Sequence, residues 1–413
     1  MNVIFLTLSR ISDIEESDIY TDLMRKFRDE GHEVYVVSPS ERRMGLATSL
    51  SEKGGVHILN VRTLNIQKAN VIEKGLGTLL FEKQFRRAIT KYLDDVKFDL
   101  ILYSTPPITL MGLIRFLKKR NPEAISYLLL KDIFPQNAVD LGMFSEKSLF
   151  YRYFRNKEKA LYRASDYIGC MSPANVAYVR RHNPYYPKWR VEEAPNSVEL
   201  RIKSLELRDR NAVRNKYGLP VDIPIFIYGG NLGKPQGIDF LIKCLDENKY
   251  RDDCFFLIVG NGTEYSKLEV WMEDVRRQMS DGRSLSMKLM QGLPKEEYDL
   301  LVQACDVGLI FLDHRFTIPN YPSRLLSYLE NKMPVICATD VNTDIGRIAE
   351  RNCYGYWCES IDPINFTVLV NRFLSDSERI RRMGERGYEF MKKNYLVDHT
   401  CQVVMKHFKK DNK

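Results

Sequence analysis

Two series of short β-branched and aliphatic runs, each run separated from the next by a helical pattern, fill the two halves of this chain. No other feature constrains its fold as strongly. In the first half the runs are Val3–Leu8, Glu33–Val37, His57–Val61, Leu100–Tyr103, Ser126–Leu130, Tyr167–Met171 and Val191–Ala194. In the second they are Ile223–Tyr228, Cys254–Val259, Met287–Gln291, Val307–Phe311, Val335–Ala338 and Gly355–Cys358. Strands alternating with helices predict parallel sheets covered by helices on both faces. A chain of 413 residues is also too long for one ordinary core. The expected fold class is therefore α/β, with two Rossmann-like domains. Pro195-Asn196-Ser197 and the charged stretch Val198–Lys216 mark the crossing between them, and Asp398–Phe408 reads as a final helix.

Composition narrows the setting. Hydrophobic residues make up 44% and charged residues 28%, no run of eighteen apolar residues occurs, and Met1-Asn2-Val3-Ile4-Phe5 enters a strand without a basic leader. The cytoplasm is the expected compartment. The eight cysteines are scattered without paired CxxC motifs and read as reduced core residues, and the six histidines form no metal-spaced cluster, so no metal or other cofactor is expected. Residues 1–198 hold 30 lysines and arginines against 23 acidic residues, a net of +7 out of the chain's +8. Three stretches there mix cations with aromatics: Phe81–Arg87, Arg115–Arg120 and Tyr151–Lys157. One such stretch is commonly a solvated helix face. Three in one domain favour an anionic partner, either a phospholipid surface or a lipid diphosphate. No helix-turn-helix, zinc finger or RNA-binding aromatic signature accompanies them, which argues against nucleic acid.

The strands of the second half end in small or glycine-rich turns: Tyr228-Gly229-Gly230-Asn231-Leu232-Gly233-Lys234, Val259-Gly260-Asn261-Gly262 and Gln291-Gly292-Leu293-Pro294. Ligands of doubly wound sheets lie beyond the carboxyl ends of the strands, so these turns should converge on one crevice, where glycine lets backbone amides approach phosphate or base edges. A fourth element joins them. In Ile318–Ile336 a proline loop delivers Ser323 and Arg324 to the start of an apolar-faced helix, with Ser323 suited to an N-cap and the helix amides suited to phosphate. No GxGxxG opens a helix after either leading strand, and no P-loop is present.

At these residues the chain resembles the GT-B-fold glycosyltransferases, above all the retaining family 4 enzymes of bacterial capsule, O-antigen and exopolysaccharide synthesis. The resemblance runs through Leu130–Gly142, Tyr228–Gly237, Val259–Gly262 and Pro322-Ser323-Arg324-Leu325-Leu326-Ser327-Tyr328. It implies two Rossmann-like domains facing a central cleft. Residues 1–198 would bind the acceptor, 199–394 would bind the nucleotide-sugar donor, and the C-terminal segment 395–413 would pack back on the first domain. It further implies sugar transfer with retention to a glycan or polyprenyl-diphosphate-linked acceptor. The basic domain would then lie peripherally on the inner face of the plasma membrane, with Leu80, Phe81 and Phe85 offering apolar surface beside Lys83, Arg86 and Arg87.

The resemblance assigns donor binding to Gly230, Asn231, Gln236, Gly260, Asn261, Gly262, Gln291, Gly292, Pro322, Ser323, Arg324 and Ser327. Several of these depart from the family pattern. Asn231 and Gln236 stand where relatives carry an arginine and a lysine on the diphosphate, and Ser327 stands where relatives carry the ribose-binding glutamate. Glu330, one turn along the same helix, is a substitute or an exposed residue, and Asp313 is the nearest match to the first acidic residue of the usual pair. Charge neutralisation therefore falls to Lys234 and Arg324, which with Asp132 form the expected catalytic set. Asp132 either orients acceptor or sugar hydroxyls or caps the turn after Lys131. Arg324 has an alternative as an ion-pair partner of Asp313. Two other functions fit the same residues: a GT-B-fold nucleotide-sugar epimerase, and a noncatalytic nucleotide-sugar-binding partner protein.

Overall fold

The structure is a computed structural model that describes residues 1–66, 71–200, 210–278 and 285–408, with side chains outside the description at 71–76, 78, 79 and 377. Much of the expected crossing segment, 201–209, lies outside the described residues. The chain divides into two compact units, Met1–Glu199 with Leu396–Lys413, and Leu200–Tyr395.

Among the described residues the first unit is built on eight strands: β1 (Asn2–Leu6), β2 (Glu33–Glu41), β3 (Ser49–Lys53), β4 (Val56–Thr63), β5 (Leu100–Ser104), β6 (Ile125–Leu130), β7 (Tyr167–Cys170) and β8 (Val191–Glu193). Their order is β3-β4-β2-β1-β5-β6-β7-β8. All neighbours run parallel except β3 and β4. Val3, Ile4, Phe5 and Leu6 of the central strand are all fully buried, as a strand covered by helices on both faces requires. Strand β3 carries no hydrophobic alternation. Its Ser-Leu-Ser-Glu-Lys is largely exposed and is held by the two-residue turn Gly54-Gly55, both glycines in the left-handed region at φ +52° and +70°. Helix Val397–Met405 and the turn Lys406–Phe408 after it pack within this unit: Lys26 meets Asp398 at 2.6 Å, the Thr400 hydroxyl donates to the Pro195 carbonyl, and the His407 ring stacks on Tyr167 with centroids 3.5 Å apart.

The second unit carries β9 (Ile225–Asn231), β10 (Phe255–Asn261), β11 (Met287–Met290), β12 (Val307–Phe311), β13 (Val335–Thr339) and β14 (Gly355–Glu359), ordered β11-β10-β9-β12-β13-β14 and parallel throughout. Strand order reverses between β9 and β12, the doubly wound pattern whose ligand site lies at the carboxyl ends of those two strands. Phe226, Phe256 and Phe311 share one core with Phe373 of helix Pro363–Leu374.

Two expectations about side chains fail here. Seven cysteines are buried, but Cys353 is exposed in the turn before β14, at φ +55°. Phe81 and Phe85 are fully buried, because helix Val71–Tyr92 turns that face onto its own sheet. Of the apolar surface expected for a membrane at this helix, Leu80 remains, at 41% exposure, and Leu79 lies outside the described side chains.

Candidate functional site

The glycine segments of the second unit meet because β9 and β10 run in register to their last residues, pairing Gly260 with Gly230 and Asn261 with Asn231. Gly230 and Gly260 therefore belong to strands, not to the turns expected for them. The Leu232 amide donates to the Asn261 carbonyl at 2.9 Å, and the Glu264 amide donates to the Leu232 carbonyl at 2.9 Å. Gly292 joins from β11, its amide 3.2 Å from Asn261 Oδ1. Gly262 is held against Leu232, whose carbonyl oxygen a Cβ would approach to 2.2 Å. The turn Lys234–Gln236 closes on the other side, with the Asp313 amide bonded to the Pro235 carbonyl. Gln291 is exposed at the rim.

Arg324 reaches this cluster from the start of helix Arg324–Glu330. Its guanidinium lies over the Tyr228 ring at 4.4 Å, and a Cβ on Gly230 would sit 3.6 Å from it. Gly230 itself adopts φ +124°, a backbone open to glycine and strained for other residues. Tyr298 and Tyr328 complete the surround. The Tyr328 hydroxyl accepts from the Gly229 amide at 3.0 Å, and the Tyr298 hydroxyl fills the space where Gly229 lacks a side chain. Burial pushes the Tyr298 phenol up to about 12 and raises Tyr228 as well, so both stay neutral near pH 7. Arg324 Nη1 is buried and has no hydrogen-bond partner among the described residues. A cation held among neutral phenols with an unfilled donor is arranged to receive an anion.

Two readings of this loop are corrected. Asp313 does not pair with Arg324: its carboxylate is held by Arg315 through bonds of 2.9 and 2.8 Å. Ser323 does not cap the helix. It already lies in the α-region and makes no capping bond, and the Leu325 and Leu326 amides turn back onto the Pro322 and Ser323 carbonyls. The seat is thus a side-chain site at Arg324 and not one of open helix amides. Asn231, exposed, and Gln236, half-buried, are joined to each other, Asn231 Nδ2 donating to Gln236 Oε1 at 3.2 Å. Lys234 is exposed on the same turn, and Ser327 is half-buried on the helix. The loop before Pro322 is fixed by Asp340, which accepts from the Asn342 and Thr343 amides and the Thr343 hydroxyl, while Thr343 accepts from the Asn320 amide.

Asp132 lies in the first unit, just beyond β6. The Asn137 amide donates to both its oxygens, at 2.8 and 3.0 Å, and the Thr105 hydroxyl binds the backbone of Lys131 and Asp132. It is not the side-chain cap of the next helix, Gln136–Asp140, whose N-cap position is Pro135. Burial pushes its carboxyl up to about 6 and pulls the neighbouring Lys131 ammonium down to about 7. The two side chains point apart, Lys131 Nζ to the Ala194 carbonyl at 3.4 Å and Asp132 to Asn137, so it is the carboxyl alone, displaced toward neutral pH, that is suited to orienting a proton here.

Sequence reasoning missed the three tyrosines around Arg324, and Thr105. Tyr328 was accessible in principle, because it stands four residues after Arg324 and so shares its helix face. Tyr298 and Thr105 arrive from distant segments and carry no local signal.

Comparison with known proteins places both units. A family model described as Glycosyltransferase Family 4 matches residues 19–201, and one described as Glycosyl transferases group 1 matches residues 209–390. WbjE of Pseudomonas aeruginosa, named a probable glycosyltransferase, is 22% identical over 282 residues, covering 66% of this chain and 65% of its own. WcaI of Escherichia coli K12, named a candidate colanic acid biosynthesis glycosyl transferase, is 27% identical over 170 residues, 40% of this chain and 37% of its own. The matches thus span less than two thirds of the length of either relative. Among solved structures, sucrose-phosphate synthase from Thermosynechococcus elongatus superposes with a TM-score of 0.74 at 15% identity, over 98% of both chains. HepE of Anabaena in complex with UDP-glucose superposes with a TM-score of 0.69 at 12% identity, over 99% of both chains. The two Rossmann-like units have the GT-B glycosyltransferase fold.

Proposed function

We propose that this chain is a glycosyltransferase of bacterial surface polysaccharide synthesis. Its second unit would bind a nucleoside diphosphate sugar and its first unit a glycan or polyprenyl-diphosphate-linked acceptor, and transfer would retain the anomeric configuration. The observation that carries this reading is Arg324, a cation with a buried, unfilled donor at the strand-order reversal of a doubly wound sheet. Departure of a nucleoside diphosphate leaves negative charge on the diphosphate, and a fixed guanidinium stabilises that charge without reorganising. Lys234, exposed on the turn after β9, adds a second cation. No metal is part of this reading. UDP is the first nucleotide to test, because HepE is solved with UDP-glucose. In a thermal-shift screen of UDP, GDP and dTDP sugars, at least one should raise the melting temperature. No shift with any of them would contradict donor binding.

Asp132 would orient the acceptor or sugar hydroxyl by accepting its hydrogen bond, which requires the carboxylate. Burial raises its pKa, so the carboxylate is present above about pH 6 and is lost below it. Transfer should fall by about tenfold per pH unit below that point, and Asp132→Asn should be slow and flat across the same range. A variant retaining the wild-type profile would remove Asp132 from the chemistry.

An anionic membrane surface remains part of the proposal, but at a different helix from the one expected. Leu149 and Phe150, 79% and 68% exposed, open helix Leu149–Ala164 beside Lys147 and Arg152. Apolar residues beside cations suit an anionic interface. Leu149→Ser with Phe150→Ser should reduce sedimentation with anionic liposomes, and equal sedimentation of wild type with neutral liposomes would contradict the assignment. No described helix is long and apolar enough to cross a membrane.

A second reading, a noncatalytic nucleotide-sugar-binding partner, is favoured by one observation. The Asn231–Gln236 pair is neutral and closed on itself where relatives carry two cations.

A further inference from the structure

We infer that the second unit carries a separate anion site at the amino-terminal end of β14, built to bind a phosphate monoester or diphosphate group. A cavity of about 340 Å³ lies there, rimmed by Arg372, Arg379, Arg382 and Arg386. Three of these guanidinium groups come from one face of helix Ser377–Asn394, because positions 379, 382 and 386 are three and four residues apart. Arg372 comes from helix Pro363–Leu374, and its guanidinium lies 5.2 Å from the centre of the Tyr356 ring. Tyr356 and the buried Met383 line the cavity beneath the arginines.

Charge makes this arrangement a site and not an ordinary basic surface. Asp376 serves two of the arginines, 2.7 Å from Arg382 and 3.7 Å from Arg379. Arg372 and Arg386 have no carboxylate partner among the described residues. Glu350 is the one acidic residue in the lining among the described residues. Four guanidinium groups against the carboxylates of Asp376 and Glu350 leave an excess of positive charge around one opening, and their planar forks match phosphate oxygens. The volume exceeds that of a bare phosphate and falls in the range of small-ligand pockets. The site is also distinct from the glycine cluster. Cys353 and Gly355, in its wall, lie where β14 begins, whereas Gly230, Gly260 and Arg324 lie where the strands end. It follows that this unit can hold a second phosphorylated ligand while its strand-end site is occupied.

Cys353 provides the readout, because it lines the cavity and the other seven cysteines are buried. Labelling of the native, full-length protein by a neutral maleimide should slow as pyrophosphate is added at constant ionic strength, by about tenfold at ten times the dissociation constant. Arg382→Gln with Arg386→Gln should abolish that protection. Arg324→Ala should leave it intact, which separates this site from the proposed donor site. Vesicles containing phosphatidic acid form a parallel arm: protection by vesicles and not by pyrophosphate assigns the phosphate to a lipid headgroup, and the reverse assigns it to a soluble ligand. The inference is overturned if neither protects, if chloride protects equally, or if the double variant remains protected.

Discussion

Arg324→Ala should weaken nucleoside diphosphate binding by about 1.5 to 3 kcal/mol, the worth of a hydrogen bond to a charged group. That is roughly a 10- to 150-fold rise in the dissociation constant. Arg324 is half-buried as a whole residue, and its guanidinium, with Nη1 buried, lies over Tyr228 and pairs with no described carboxylate. Its removal therefore costs the fold little, at most about 1 kcal/mol for the lost contact with the ring. Turnover should fall further than affinity if the bond strengthens as the diphosphate leaves. Arg324→Lys retains the charge but loses the fork, and should lie between wild type and alanine. Isothermal titration and a urea unfolding curve on each variant make the comparison. A folded Arg324→Ala protein with unchanged affinity would take Arg324 out of the site.

Gly260→Ala should destabilise the second unit by about 1 to 3 kcal/mol or more, because the added methyl meets backbone that cannot swing aside. A Cβ there would stand 1.8 Å from the Gly230 carbonyl oxygen. Relief requires β9 and β10 to part at their carboxyl ends, which moves Gly230 away from Arg324, so nucleotide affinity should fall together with the urea midpoint. Gly292→Ala is the control. Its Cβ meets the Asn261 side-chain amide at 2.5 Å, and that group can rotate. A Gly260→Ala protein with a wild-type midpoint would show that the strand ends are looser than their register indicates.

Thirteen of the fourteen strands among the described residues were legible in the sequence, because buried parallel strands announce themselves as continuous apolar runs. Strand β3 was not, since its pairing depends on a glycine turn and an exposed polar face. The strand-end glycines and Arg324 were legible as a set from their positions after strands and before a helix. What the sequence could not supply was the pairing of side chains brought together from far apart: Asp313 with Arg315 instead of Arg324, Asn231 with Gln236, and Tyr298 against Gly229. Ser323 misled for a related reason. Residue type favours an N-cap, but the proline loop delivers the serine already in the helical region, where its hydroxyl cannot reach the amides it would cap. The aromatic and basic stretch at Phe81–Arg87 misled because an amphipathic helix has the same composition whichever of its faces is buried.

Mass analysis of a polyprenyl-diphosphate-linked acceptor, incubated with the protein and each of the UDP, GDP and dTDP sugars, tests the central claim most directly. With one donor, the acceptor should gain the mass of one sugar residue while the matching nucleoside diphosphate is released in equal amount, and Arg324→Ala should slow both together. An altered sugar on the nucleotide with no change in acceptor mass would instead identify an epimerase. Binding of the nucleotide sugar without any turnover, across acceptors of this class, would leave a noncatalytic binding protein and contradict the account.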